Sequence, residues 1–97
     1  MRSKSKRTVA ILHICWIHWQ NPTIENGSEN IARAEILPDG TMQIEFRENI
    51  DHKSLSARIV ESSTELALSN KSKTRVSFTP DKSLLLGDNH IIFECIA

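Results

Sequence analysis

Three residues near the amino terminus are of metal-ligating type and lie within six positions of one another: His13, Cys15 and His18. On a strand, His13 and Cys15 share a face and His18 points to the other. On a helix, Cys15 and His18 are neighbours and His13 stands apart. A zinc site needs about four ligands in tetrahedral array, and copper sites are similarly defined. Two or three residues on mixed faces fall short of that, so the residues are expected to be ordinary, with metal as the sharper alternative. Glu45, Glu48 and Asp51 can gather carboxylates at one corner, but calcium takes six to eight oxygens and no EF-hand loop pattern is present. A solvated acidic corner is the simpler reading. Asp88 and His90, with Ser54, Ser56, Ser62 or Ser63, supply the residue types of a catalytic triad. No Gly-x-Ser-x-Gly elbow frames any of those serines. Gly27, Gly40 and Gly87 are too dispersed for a phosphate-cradling loop. Trp16 and Trp19 follow a basic segment and resemble a base-stacking pair. Aromatic residues flanked by Ile and Leu more often fill a core. No catalytic residue, cofactor or enzymatic activity is therefore expected.

Whatever chemistry exists must be positioned by short extended segments. Ninety-seven residues make one domain. Twelve basic residues balance twelve acidic ones, so no electrostatic footprint for nucleic acid is expected. Residues 1–7 carry four cations and no anion and read as a solvated basic tail, with the domain occupying 8–97. Basic residues followed by an apolar run also give the order of a signal peptide. His13 and His18 interrupt the run, no Ala-x-Ala-like site follows, and Ile14 before Cys15 is too large for a lipoprotein signal. Twelve apolar-rich residues are too few for a membrane-spanning helix, which needs about 20.

Residues 8–19 place Val9, Ile11, Cys15, Ile17 and Trp19 on one face and Leu12, Ile14 and Trp16 on the other. This predicts a strand buried on both sides. Residues 20–29 read as turn chemistry, with Asn21-Pro22 and Asn26-Gly27 as the bends. Residues 31–37 and 41–47 predict a hairpin about Pro38-Asp39-Gly40, with Met42, Ile44 and Phe46 facing in. Residues 48–53 form a polar connection plugged by Ile50. Ser54–Val60 fits a short strand or a single helical turn, and Thr64–Ser69 alternates weakly through Leu66 and Leu68. In the last third Val76 and Phe78 face in until Pro80 ends the ladder. Leu84–Leu86 is too short for a helix, Gly87-Asp88-Asn89 reads as a turn, and Ile91, Phe93 and Cys95 form the next inward face. Short strands at this spacing predict an antiparallel β-sandwich.

Cys15 and Cys95 are expected to be reduced and buried, a bridge between them being open to an extracellular domain. Asn26-Gly27-Ser28 and Asn70-Lys71-Ser72 match the glycosylation acceptor pattern, which matters only in a eukaryotic secretory setting.

Residues 36–97 also resemble a family. Asp39-Gly40-Thr41-Met42-Gln43-Ile44-Glu45-Phe46-Arg47-Glu48-Asn49-Ile50-Asp51, then Ser54-Leu55, then Thr74-Arg75-Val76-Ser77-Phe78-Thr79-Pro80-Asp81-Lys82-Ser83-Leu84-Leu85-Leu86-Gly87 are similar to the bacterial Ig-like domain of surface-layer and other cell-surface proteins. That pattern has a Phe-terminated strand, an acidic E-x-x-D corner, a Ser-Leu step and an F-T-P-x-x-x-L-x-x-G corner. The resemblance implies an all-β, Ig-like sandwich acting without catalysis as a structural, adhesion or protein-binding module of the cell envelope or extracellular space. His90 stands where the family places an aromatic. The family's last strand has no counterpart before Ala97, so the sandwich is expected to be incomplete at its carboxyl-terminal edge. The predicted consequence is that 8–19 pairs there, that a partner protein or neighbouring domain does, or that the chain is a truncated copy. Tyr-x-Cys of antibody domains is imitated by Phe93-x-Cys95, but Cys15 and Trp19 are too close together to complete that signature. The competing function is a small periplasmic copper- or zinc-binding sandwich using His13, Cys15 and His18.

Overall fold

The chain folds into eight strands and one helical turn, described in a computed structural model for residues 5–17, 22–26 and 29–96. The strands are β1 (Lys6–Trp16), β2 (Thr23–Asn26), β3 (Ile31–Ile36), β4 (Met42–Phe46), β5 (Ser56–Ile59), β6 (Thr64–Leu66), β7 (Arg75–Phe78) and β8 (Gly87–Ile96), with α1 (Lys82–Leu85) before the last. They form a five-stranded sheet ordered β2-β1-β8-β5-β6 and a three-stranded sheet ordered β3-β4-β7. Each neighbouring pair in these sheets is antiparallel. The expected all-β sandwich is what these residues build.

Its interior follows from alternation. Leu12 and Ile14 of β1, Ala57 and Ile59 of β5, and Ile91, Phe93 and Cys95 of β8 line one wall. Ile31, Met42, Ile44, Phe46, Val76 and Phe78 line the other. Phe46 and Phe93 meet edge to face across the gap, with ring centres 5.5 Å apart at 82°. That geometry matches the ring quadrupoles and adds about 0.5–1.5 kcal/mol beyond area burial. Asn89, also inward on β8, is only 5% exposed, and its Nδ2 donates to the Leu86 carbonyl at 3.1 Å.

The hairpin of β3 and β4 turns at Pro38-Asp39-Gly40 as its residues predict. Asp39 Oδ1 accepts from the Thr41 N–H at 2.9 Å, and Gly40 adopts φ of 89°. Donation from Thr41 holds the Asp39 carboxyl below its usual range.

Four readings of the sequence are corrected. First, 8–19 is not a strand buried on both faces. β1 starts at Lys6, and the register slips between Thr8 and Ala10. This bulge turns both Val9 and Ala10 inward, after which Leu12 and Ile14 face the core. Ile11, His13 and Cys15 are left on the outer face, with Ile11 39% exposed. Second, β2 occupies four residues of the stretch read as turn, pairing Thr23 with Cys15 and Ile24 with Ile14. Third, Lys82–Leu85 does form a helical turn. The Asp81 side chain caps it, accepting from the Ser83 N–H, and Leu85 plugs the core. Fourth, only Gly87 bends at the presumed Gly87-Asp88-Asn89 turn, with φ of 85°; Asp88 and Asn89 already pair with Cys15 and Ile14. Ser54–Val60 resolves to a strand.

The expected pairing of the amino-terminal segment is found. β1 runs antiparallel along β8 from Lys6 opposite Ile96 to Trp16 opposite Gly87, so β8 is an interior strand. The two cysteines cannot reach one another. Cys15 lies beside Asp88 and Cys95 beside Arg7. Those positions are about 23 Å apart at the rise of a strand, whereas a disulfide needs Cα atoms within about 7 Å. Cys95 is buried and its thiol donates to the Asp51 carbonyl at 3.4 Å; Cys15 is half-buried, not a core residue. Burial pushes the Cys95 thiol up, outweighing hydrogen bonds with Ser54 and Asp51.

Candidate functional site

The antiparallel register of β1 and β8 sets His13 directly opposite His90 on the outer face of the larger sheet. Their imidazoles stack with centres 4.7 Å apart and planes 9° from parallel. Each ring has a carboxylate. His13 Nε2 lies 3.1 Å from Asp88 Oδ1. Glu61, in the turn after β5, holds His90 twice: Oε1 accepts the His90 backbone N–H at 2.7 Å and Oε2 lies 2.6 Å from Nδ1. An ionised carboxylate only accepts, so Nδ1 carries the proton there. Slight burial pushes the Glu61 carboxyl up, but hydrogen bonds from the ring and backbone of His90 outweigh it, and the group is held below its usual range. This arrangement fixes two rings in place, each beside a carboxylate.

The sequence candidates are distributed as follows. His13 and Cys15 share the outer face, as a strand requires; His18 and Trp19 lie outside the described residues. Among the described residues no three His, Cys, Asp or Glu side chains converge as metal ligands do. The acidic trio is dispersed. Glu45 takes the Arg75 Nε at 3.0 Å, Asp51 Oδ2 takes the Ser54 hydroxyl at 2.9 Å, and the Glu48 backbone N–H bonds Asn30 Oδ1. Asp88 and His90 do approach one histidine pair. Of the serines, Ser62 donates to Thr64 and Ser54 to Asp51, away from it. Trp16 is half-buried against the core.

A second feature was missed altogether. Beside Trp16 the two sheets part and leave a cleft of about 740 Å3, walled by Trp16, Pro22, Ile24, Ala34, Ile36 and Pro80 among others. β3 forms its rim. Among the described residues β3 has only β4 as a strand partner. Residues along an antiparallel edge alternately turn their backbone groups toward the neighbour and away from it. The Leu37 N–H donates to the Thr41 carbonyl at 2.8 Å, which sets the phase. Arg33 and Glu35 therefore bond β4, while Ala34 and Ile36 turn their N–H and C=O groups to the side away from β4; β2 lies near β3 without pairing with it. The side chains of Ala34 and Ile36 lie on the same face as their neighbours Ile44 and Met42, yet Ile36 stays 37% exposed because the larger sheet does not cover it.

The other edges are less available. Ser69 exchanges backbone hydrogen bonds with Ser77 at 2.7 and 2.9 Å, closing the outer side of β7. β6 has three residues and β2 four. A polar cleft of about 820 Å3 lies near the β1 bulge, but its groups serve the fold. Asn30 Nδ2 donates to the Val9 carbonyl at 3.2 Å, and Arg47 Nε donates to the Glu29 carbonyl at 2.7 Å.

Comparison with protein-family models, with curated proteins and with solved structures finds no match for this chain. No helix among the described residues is long and apolar enough to cross a membrane.

Proposed function

We propose that the chain is a noncatalytic, Ig-like structural, adhesion or protein-binding module of the cell envelope, and that its partner is a protein. The observation that supports this reading is the β3 edge, unpaired on its outer side among the described residues, lying along a cleft of mixed apolar and polar lining. Unpaired strand edges are templates for another strand, and a cleft for alternate side chains adds selectivity. The envelope assignment draws on the resemblance of residues 36–97 alone.

The test begins with selection of binding peptides from a displayed random library, followed by amide hydrogen exchange on the complexes. Ala34 and Ile36 amides should exchange fast in the isolated chain and slow down with peptide bound. Binders that protect only the outer face of the larger sheet would sink the edge reading. Recovery of the native protein from the soluble fraction instead of the envelope would sink the placement.

A second reading, copper or zinc binding, is favoured by one observation: His13, His90, Cys15 and Asp88 share a face. Titration with each metal and with H13A and H90A variants separates it, since binding that survives both substitutions would exclude this face.

A further inference from the structure

We infer that the open edge of β3 pairs with β3 of a second copy of this chain. The inference rests on the edge reading above for the openness of β3; the choice of partner comes from the charges.

Arg33 and Glu35 stand two apart on the outward face of β3, joined at 3.1 Å, with the Arg33 side chain 68% exposed. Ala34 lies between them and turns its backbone groups outward. A two-fold axis through Ala34, perpendicular to the sheet, brings two antiparallel β3 strands together. Ala34 then exchanges both backbone hydrogen bonds with Ala34 of the second copy. Arg33 faces the second copy's Glu35, and Glu35 faces its Arg33. Ala32 meets the second copy's Ile36.

This register satisfies two independent conditions at once. The central hydrogen-bonded pair is Ala34 with its counterpart, whose groups the β4 ladder leaves free. The charged pairs then fall at non-hydrogen-bonded positions, where Cα atoms approach most closely and cross-strand pairs interact best. A shift of the axis to Glu35 would set like carboxylates face to face and pair groups already committed to β4. A two-fold interface must be self-complementary, and an Arg-x-Glu edge is self-complementary in this one alignment. The small Ala34 at the axis lets the backbones approach. Each Ile36, exposed on the cleft side, gains an apolar neighbour across the joint. The bulge between Ile31 and Arg33 ends the regular edge and keeps the joint short. The dimer therefore belongs to the small-interface, concentration-dependent class.

The experiment is sedimentation velocity of the full chain over a wide concentration range, with wild type, R33E, E35R, A34P and an equimolar mixture of R33E and E35R. Thermal melts confirm that each variant folds. Wild type should show a monomer–dimer equilibrium. R33E and E35R each set like charges opposite one another twice and should weaken self-association on the order of tenfold. Their mixture restores two Arg–Glu pairs and should recover association as a mixed dimer, which a structural role for either residue would not produce. A34P removes the central outward N–H and should abolish pairing. A wild type that stays monomeric throughout, or a dimer indifferent to both charge reversals, overturns the inference. Either result leaves the binding-module reading standing if library peptides still protect Ala34 and Ile36. Peptide protection confined elsewhere defeats that reading separately.

Discussion

Glu61 is worth following because its carboxylate is committed at two points to one residue, His90. Its pKa is lowered in the folded chain, so the sign of its pH effect is fixed. The carboxylate's contribution is fully present above the unfolded pKa of about 4.3 and is lost as pH falls through the lower folded value. Denaturant unfolding of wild type and E61Q should therefore differ in midpoint at neutral pH, and the difference should shrink across the acid range. A constant gap down to low pH would show that the carboxylate's charge does nothing there. His13 was identifiable by residue type, and strand alternation correctly put Cys15 on its face. Its real neighbour, His90, was not legible, because only the β1–β8 register makes them adjacent and sequence carries no direct record of register. The one trace was His90 occupying a position where an aromatic was expected.

Elements with strong local punctuation were readable. The β3–β4 hairpin could be placed because Pro38-Asp39-Gly40 allows few backbones and three alternating apolar residues follow. Elements that break their own rule were not. The bulge at Thr8–Ala10 spends one residue without changing face, so a strict period of two set Val9 on the face of Ile11 and Cys15. The helical turn at Lys82–Leu85 is too short to show periodicity, although Asp81 two positions before Ser83 is a sound cap signal. β2 is four residues between two bend-forming pairs and was absorbed into them. The cleft escaped notice because its walls come from four separate segments. Gly87 offers a clean test at this scale. A Cβ there would meet no atom within 4 Å, so G87A probes backbone conformation alone. With φ of 85°, it should cost about 1–2 kcal/mol by chemical denaturation. G40A, at the hairpin, should behave alike. No loss in either would show that these turns relax to negative φ.

At the scale of the molecule, cohesion depends on contact between the two sheets, and Phe93 is central to it. It is fully buried and bridges to Phe46. F93A should cost about 3–5 kcal/mol, a large share of the roughly 5–15 kcal/mol typical of a whole domain. The variant should melt far below wild type or fail to fold, whereas Glu61 and Gly87 variants should retain cooperative transitions. A small shift would mean that the sheets close over the cavity.

The neighbouring placement of β1 and β8 also decides how the molecule answers to pulling. Lys6 and Ile96 sit at the same end of one antiparallel ladder. Tension applied through the chain on either side would concentrate on that end and part the hydrogen bonds one after another, like a zipper, instead of shearing them together. In an optical trap the module should open at low force when held at those flanks and resist far better when held at residues 6 and 87. A fold joined this way would give readily to strain along a tether.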